Sequence, residues 1–150
     1  MFIREAELFK EMPEHIHTEI FEISQREVLP EGQVLFKQGD TADYLYILEE
    51  GLIEITVQGE ERMIFSVDEF DSVFGWSALV EPKKYTATSK CKKNSKVIKI
   101  DGDRLMRIFR NHPVEGLNVM RRLAGIVAGR LLGCYDELTK SDRHLSKVAY

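Results

Sequence analysis

Cysteine, histidine and tryptophan are scarce in this 150-residue chain, which contains two, four and one of them respectively. Because Cys91 and Cys134 are the only cysteines and stand far apart, the chain has neither a disulfide framework nor a cysteine-based zinc site. The four scattered histidines offer no group of ligands, so we expect no metal site. Thiols this sparse are typical of a reducing compartment, and we predict a cytoplasmic location.

Long apolar runs and catalytic motifs are also absent. The longest apolar run, around Leu45–Leu48, has the length of a strand and falls far short of the roughly 20 residues of a membrane span. The sequence contains no glycine-rich phosphate loop, no nucleophile elbow and no HExxH helix. A metalloenzyme of the cupin type would need histidines on the strands, and all four lie outside the strand region. We therefore expect no membrane contact and no enzymatic activity.

The net charge of −4 hides an unequal distribution. Residues 1–71 carry 18 acidic and 5 basic side chains, whereas residues 72–150 carry 7 acidic and 16 basic ones. Either strands from the two halves pair and cancel these charges, or the second half presents a basic surface near a ligand mouth or partner site. The lysines are not interleaved with stacking aromatic residues, so we expect no direct binding of nucleic acid.

Short strands separated by turns dominate the middle of the chain. From Val28 to Ile100, apolar and alternating segments are separated by glycine and aspartate turns, and Ile53, Ile55 and Val57 show a two-residue period. An amphipathic helix is predicted before them at Pro13–Ile23, because isoleucines recur there at spacings of four and three. The pattern predicts a mainly β fold, an antiparallel β-roll or jelly roll flanked by helices.

Helices follow the strands. We expect Asp103 to cap a helix that ends near Arg110, and a long helix to run from about Val114 to Leu138. The chain is accordingly divided into an N-terminal helical segment (1–27), a β-roll (28–112), a C-terminal dimerisation helix (113–140) and a tail (141–150).

The long helix carries a heptad pattern that predicts a coiled-coil seam between two copies of the chain. The seam residues alternate spacings of three and four: Leu117, Met120, Ala124, Val127, Leu131, Cys134 and Leu138. A second row, Gly125, Gly129 and Gly133, costs roughly 1 kcal/mol per glycine relative to alanine, which the close approach of a neighbouring element would offset. Either the helix lies only on its own β-roll with the glycines facing the sheet, or it does so and also forms a homodimer through the seam.

Several glycines stand at fixed spacings in the first strands, in Pro30-x-Gly32, Phe36-x-x-Gly39-Asp40 and Gly51. The stretch that contains them, LPEGQVLFKQGDTADYLYILEEGLIEITV, closely resembles the opening strands of cyclic nucleotide-binding domains. That family includes the sensor domains of the catabolite activator protein and of FNR-like regulators. The resemblance continues through Phe74-Gly75, where the family's phosphate-binding cassette begins, and covers roughly residues 9–138. It implies the family's β-roll.

Two signature side chains of the cassette are replaced. In family members that bind a cyclic nucleotide, a glutamate follows the cassette glycine and takes the ribose hydroxyl, and an arginine before the next strand pairs with the phosphate. Trp76 and Tyr85 occupy these positions here. The resemblance implies a ligand site made of Gly75, Trp76, Ser77, Ala78, Lys84, Tyr85 and Thr86. Without the acid and the arginine, we expect cyclic AMP and cyclic GMP to bind weakly or not at all.

The replacements leave two interpretations of the site. Ser77 and Thr86 can donate hydroxyls to an anion, Lys84 can supply a point cation, and Trp76 can stack on a flat ligand. These features predict a regulatory sensor of a small anionic ligand, which acts through a homodimer on an unknown output protein. Alternatively, Trp76 fills the ribose space, and the chain is a ligand-free scaffold that interacts through its β-roll and dimer helix.

Overall fold

The computed structural model describes residues 6–140; residues 1–5 and the predicted tail, 141–150, lie outside the described residues. The eight strands are β1 (Ser24–Leu29), β2 (Val34–Phe36), β3 (Tyr44–Glu50), β4 (Ile53–Gln58), β5 (Arg62–Val67), β6 (Val73–Phe74), β7 (Thr88–Cys91) and β8 (Ser95–Asp101). The helices are α1 (Glu14–Glu22), α2 (Gly102–Asn111) and α3 (Pro113–Lys140), with short 3₁₀ helices at Glu7–Phe9 and Trp76–Leu79. The predicted fold class, an antiparallel β-roll with flanking helices, is confirmed.

The strands form two four-stranded antiparallel sheets. The first has the order β1–β8–β3–β6 and the second has the order β2–β7–β4–β5. The first strand begins at Ser24, four residues before the predicted start at Val28, and pairs along its whole length with the last strand. Both ends of the roll therefore meet in one sheet, and because Ser24 pairs with Ile100, α1 enters the roll at the same end from which α2 leaves it.

Strand β3 is buried on both faces, which explains its nearly continuous apolar sequence. Leu45 and Ile47 pack into a cluster with the helices, whereas Tyr46 and Leu48 pack into a second cluster between the two sheets. Successive side chains of a strand point to opposite faces, so alternate residues of β3 pack into alternate clusters. The first sheet thus lies between a helical layer and the second sheet.

Two local features differ from what the sequence indicates. Within the predicted strand region, residues 85–87 are not part of a strand and β7 begins at Thr88, because the backbone of Tyr85 bonds instead to the turn at Gly39 and Asp40. Helix α2 is capped by Asp101, whose carboxylate accepts the Arg104 backbone N–H at 2.9 Å. The predicted cap, Asp103, lies inside the first turn and pairs with the ammonium of Lys83.

The uneven charges of the two halves meet across the fold. Among the described residues, five ion pairs join an acid of residues 1–71 to a base of residues 72–150, namely Glu50–Lys96, Glu54–Lys92, Glu27–Lys99, Glu11–Arg122 and, when the imidazole is protonated, Glu19–His112. Antiparallel pairing of β8 with β1 and β3 brings two of these pairs together, Glu27–Lys99 and Glu50–Lys96. The structure therefore supports the first of the two charge interpretations, in which strands from the two halves pair and cancel.

Helix α3 packs on the roll through its first half, and its glycines do not face the sheet. Val119 and Leu123 are buried, and a Cβ on Gly116 would lie 2.6 Å from the Cβ of Phe109. A Cβ on any glycine of the predicted row, Gly125, Gly129 or Gly133, would meet no described heavy atom within 4 Å. The predicted close packing of that row on the sheet is wrong, because Gly125 follows Leu123 by two residues and so lies about 200° around the helix from it. None of the helices between residues 6 and 140 has the length and apolar character needed to span a bilayer.

Candidate ligand-binding site

A cavity of about 490 Å³ lies where the second sheet, the cassette and helix α3 meet. The roll contributes mostly apolar side chains, including Phe36, Ile55, Val57, Phe65, Val67, Phe74 and Ala87. Helix α3 closes the other side with Val127, Arg130, Leu131, Gly133, Cys134 and Glu137. Because one wall belongs to the roll and the other to α3, a ligand that fills the cavity contacts both.

Gly75 sets the geometry of the cassette. Its φ of 74° lies in the left-handed region, and a Cβ there would stand 3.1 Å from the ring of Tyr46 and 3.2 Å from the carbonyl oxygen of Tyr44. Glycine tolerates both the backbone angle and the close contact, whereas a side chain would strain the turn. The turn directs the chain from β6 into the 3₁₀ helix Trp76–Leu79, which brings Trp76 and Ser77 to the cavity wall.

Tyr85, at the position of the family's arginine, is locked into the protein rather than directed at a ligand. Its hydroxyl donates to the Tyr44 carbonyl oxygen at 2.7 Å and accepts the Tyr44 backbone N–H at 3.1 Å. Its ring stacks on Phe36 with centroids 3.8 Å apart and planes 10° from parallel. Burial raises the pKa of Tyr85 to about 12, so the hydroxyl stays neutral at physiological pH. The side chain closes the floor of the cavity and offers no positive charge.

We expect Tyr85→Phe to lower the free energy of unfolding by about 1–3 kcal/mol, because it leaves two backbone groups of Tyr44 without their partner while keeping the ring stack. Chemical denaturation followed by circular dichroism measures this loss. Tyr135→Phe is the control, since no hydrogen bond joins the Tyr135 hydroxyl to any residue of the described part of the chain, and the stability of this variant should change by less than about 0.5 kcal/mol. Equal stability of the Tyr85 variant and the wild type would contradict this role.

Arg130 supplies the cavity with a cation that the sequence analysis missed. Its guanidinium carbon lies over the Trp76 ring, 4.7 Å from the ring centroid. Burial lowers its pKa, although an arginine remains protonated at any physiological pH. The sequence did contain a signal for it: Val119, Leu123, Ile126 and Arg130 follow at spacings of four, three and four. A charged residue in the packing row of a helix is a candidate for function.

The structure brings five of the seven predicted ligand residues to the cavity: Gly75, Trp76, Ser77, Tyr85 and Thr86. Ala78 is instead packed under the start of α2, where its carbonyl oxygen would be 2.6 Å from a Cβ on Gly102. Lys84 is exposed, pairs through its backbone with Thr41 and is not among the lining residues. The structure therefore leaves Lys84 outside the cavity wall, and its role as the substitute cation stays a prediction.

Some residues of the predicted seam of α3 are exposed to solvent, and others pack against the roll. Leu117, Ala124 and Leu131 are exposed, whereas Met120 and Val127 pack partly against the core of their own roll. Cys134 lines the cavity and Leu138 is half-buried. The roll therefore covers one edge of the apolar stripe, and the seam between two copies stays a prediction. In the described part of the chain, no three His, Cys, Asp or Glu side chains group as metal ligands.

Comparison with known proteins identifies relatives of this architecture. The family model described as cyclic nucleotide-binding domain matches residues 26–112. A cAMP-dependent protein kinase regulatory subunit of Emericella nidulans is 31% identical over 121 residues, which are 81% of this chain and 28% of that protein. A solved structure described as a cyclic nucleotide-binding protein from Geobacter metallireducens has a TM-score of 0.76 at 30% identity, covering 85% of this chain and 94% of that one.

The catabolite activator protein of Thermus thermophilus shares the fold. Its TM-score is 0.69 at 20% identity, over 90% of this chain and 62% of that one. The chain spans about a quarter of the length of the curated relatives that it matches. A match of this extent shows a shared domain and a shared fold. It does not show that the chain has the activity of the longer proteins.

Proposed function

Because the chain belongs to the cyclic nucleotide-binding domain family, we propose that it is a non-catalytic regulatory module that senses a small ligand and signals through a homodimer. The observation that carries this proposal is the shared cavity, which has the roll and cassette on one side and α3 on the other. A ligand that binds there more tightly in one position of α3 shifts the helix toward that position. The cavity thereby couples ligand binding to the helix that we expect to form the dimer.

The dimer part of the proposal is supported by the outer face of α3, which we define as Leu117, Ala124, Ala128, Leu131, Leu132 and Tyr135. Leu117 and Leu132 leave 62% and 59% of their surface exposed, which is unusual for large apolar residues on one helix face. At 100° per residue all six residues lie within about 100° of arc, the width of one packing stripe. Alanines in the middle of the stripe allow a second helix to approach closely.

A specific observation favours the rival function, a ligand-free scaffold. Tyr85 and Phe36 stack at the cavity floor, and Tyr46 and Phe74 stack beside them at 5.3 Å, so aromatic side chains already fill the space beneath the cavity. A scaffold would keep the dimer helix and have no ligand response. A cytoplasmic location and an unknown output partner stay predictions in both cases.

Thermal-shift screening combined with hydrogen exchange separates the two functions. We expect at least one small anion in a panel of cyclic nucleotides, aromatic carboxylates and aliphatic carboxylates to raise the melting temperature. The same compound should slow amide exchange both in residues 75–79 and in residues 127–137, because these segments line opposite walls. In the matched variant Ala87→Leu, which adds volume inside the cavity, the ligand response should be lost while the dimer remains. A panel without any stabilising compound would favour the scaffold.

A further inference from the structure

The walls of the cavity have an unusual composition for a nucleotide site. Twelve of the nineteen lining residues are aliphatic, aromatic or cysteine side chains, and two more are glycines. The remaining five are Ser66, Ser77, Thr86, Arg130 and Glu137. A cyclic nucleotide carries a ribose hydroxyl, several base heteroatoms and a phosphodiester, and each of these polar groups must find a partner when it leaves water. These walls instead fit a ligand with a large apolar part and a single charged end.

Arg130 is the cation available to that charged end. It is half-buried, its guanidinium carbon lies over the Trp76 ring, and no described carboxylate stands within ion-pair distance of it. A partly buried charge without a counter-ion is costly, so an anion that reaches it gains more than it would at the surface. The N–H donors of a guanidinium lie in one plane and match a carboxylate in a two-point contact.

The neighbouring acids do not remove this cation from the cavity. Arg130 also borders a smaller cavity of about 290 Å³ whose lining includes Asp68, Glu69 and Asp71, but none of them pairs with it. Within the larger cavity the carboxylate that lines the wall is Glu137, which is exposed. It follows Arg130 by seven residues, about 10 Å along the helix axis. The end of the cavity near Trp76 is therefore its positive end.

We propose that the cavity binds an amphiphilic monoanion, a carboxylate with an aromatic or aliphatic body, whose charged end pairs with Arg130 beside Trp76. Its apolar body occupies the space between the second sheet and α3. This inference rests on the proposed function, since it assigns a ligand class to the same cavity. In this arrangement a residue of α3, and not a residue of the cassette, pairs with the charge of the ligand. The strongest ligand contact would then lie on the helix that carries the signal.

The test compares 4-phenylbutyrate with its primary amide, 4-phenylbutyramide, which has the same shape and no charge. Isothermal titration and the fluorescence of Trp76, the only tryptophan of the chain, report binding, and decanoate serves as a second carboxylate of different shape. In the wild type we expect at least one carboxylate to bind, and phenylbutyrate to bind about tenfold or more tightly than the amide. Arg130→Gln should abolish this preference, whereas Arg107→Gln, an exposed arginine of α2, should preserve it.

The outcomes separate this inference from the proposed function. Equal affinity for phenylbutyrate and its amide, or an unchanged preference in Arg130→Gln, overturns the assignment of Arg130 while the cavity stays a ligand site. Binding of cyclic nucleotides without binding of either carboxylate overturns the ligand class in the same way. If no compound binds, charged or neutral, the proposed function fails as well. Should Arg130→Gln not fold, Arg130→Lys keeps the charge but not the planar fork, and a reduced preference in that variant is the expected result.

Discussion

Ala128→Glu should convert the protein from a dimer into a monomer at tens of micromolar. Ala128 is exposed in the middle of the outer face of α3, between Ala124 and Leu132. In a two-fold symmetric contact, a residue near the axis meets its own copy, so one substitution buries two like charges without partners. We expect the dissociation constant to rise at least about a hundredfold, which corresponds to roughly 2.7 kcal/mol. The fold of the single chain should change little, because glutamate is nearly as good a helix former as alanine.

Size-exclusion chromatography with multi-angle light scattering measures this result. Gly129→Glu is the matched control: it places the same charge one residue later, about 100° around the helix, and should leave the dimer intact. A charge at Val127, one of the predicted seam positions, would be a poor test, because Val127 packs against the core of its own roll. A wild type that is monomeric at these concentrations would contradict the dimer, and the outer face would then need another partner.

Cyclic AMP and cyclic GMP should bind this protein two to four orders of magnitude more weakly than a cassette that retains both signature side chains. Each charge-assisted hydrogen bond contributes about 1.5–3 kcal/mol, so the loss of two costs about 3–6 kcal/mol. The structure strengthens this expectation, since the hydroxyl of Tyr85 donates to the Tyr44 carbonyl oxygen and accepts the Tyr44 backbone N–H. Tyr85 cannot turn toward a phosphate without breaking those bonds.

Isothermal titration of the unmodified protein against both nucleotides measures the effect, and a tight 1:1 isotherm would refute it. The double change Trp76→Glu with Tyr85→Arg should raise the affinity. Trp76→Glu alone should not, because the new carboxylate would lie beside the Arg130 guanidinium, which now sits over the indole. If the single change improves binding as much as the double change does, the phosphate is not held from position 85.

The sequence by itself determined the β-roll, its flanking helices and the position of the cassette. These features are local: glycine and aspartate turns, two-residue periodicity and the three-four spacing of α3 act within a few residues of one another, so each can be read from a short window. The resemblance to the family located Gly75, Trp76 and Tyr85, because a cassette is one continuous segment. A local pattern does not distinguish Asp101 from Asp103 as the cap, because both acids stand at the start of the helix, two residues apart.

Only the tertiary structure decided which face of α3 packs on the roll and which face stays exposed. It also decided that Arg130 lies at the cavity. An apolar stripe on a helix predicts that the stripe is packed against another element. The residue pattern is the same whether that element is the roll of the same chain or the helix of a second copy. Arg130 meets Trp76 through a contact between residues 54 positions apart in sequence, and the Glu27–Lys99 pair depends in the same way on how the strands are ordered. Such contacts are set by how the elements pack together, so no local pattern of residues encodes them.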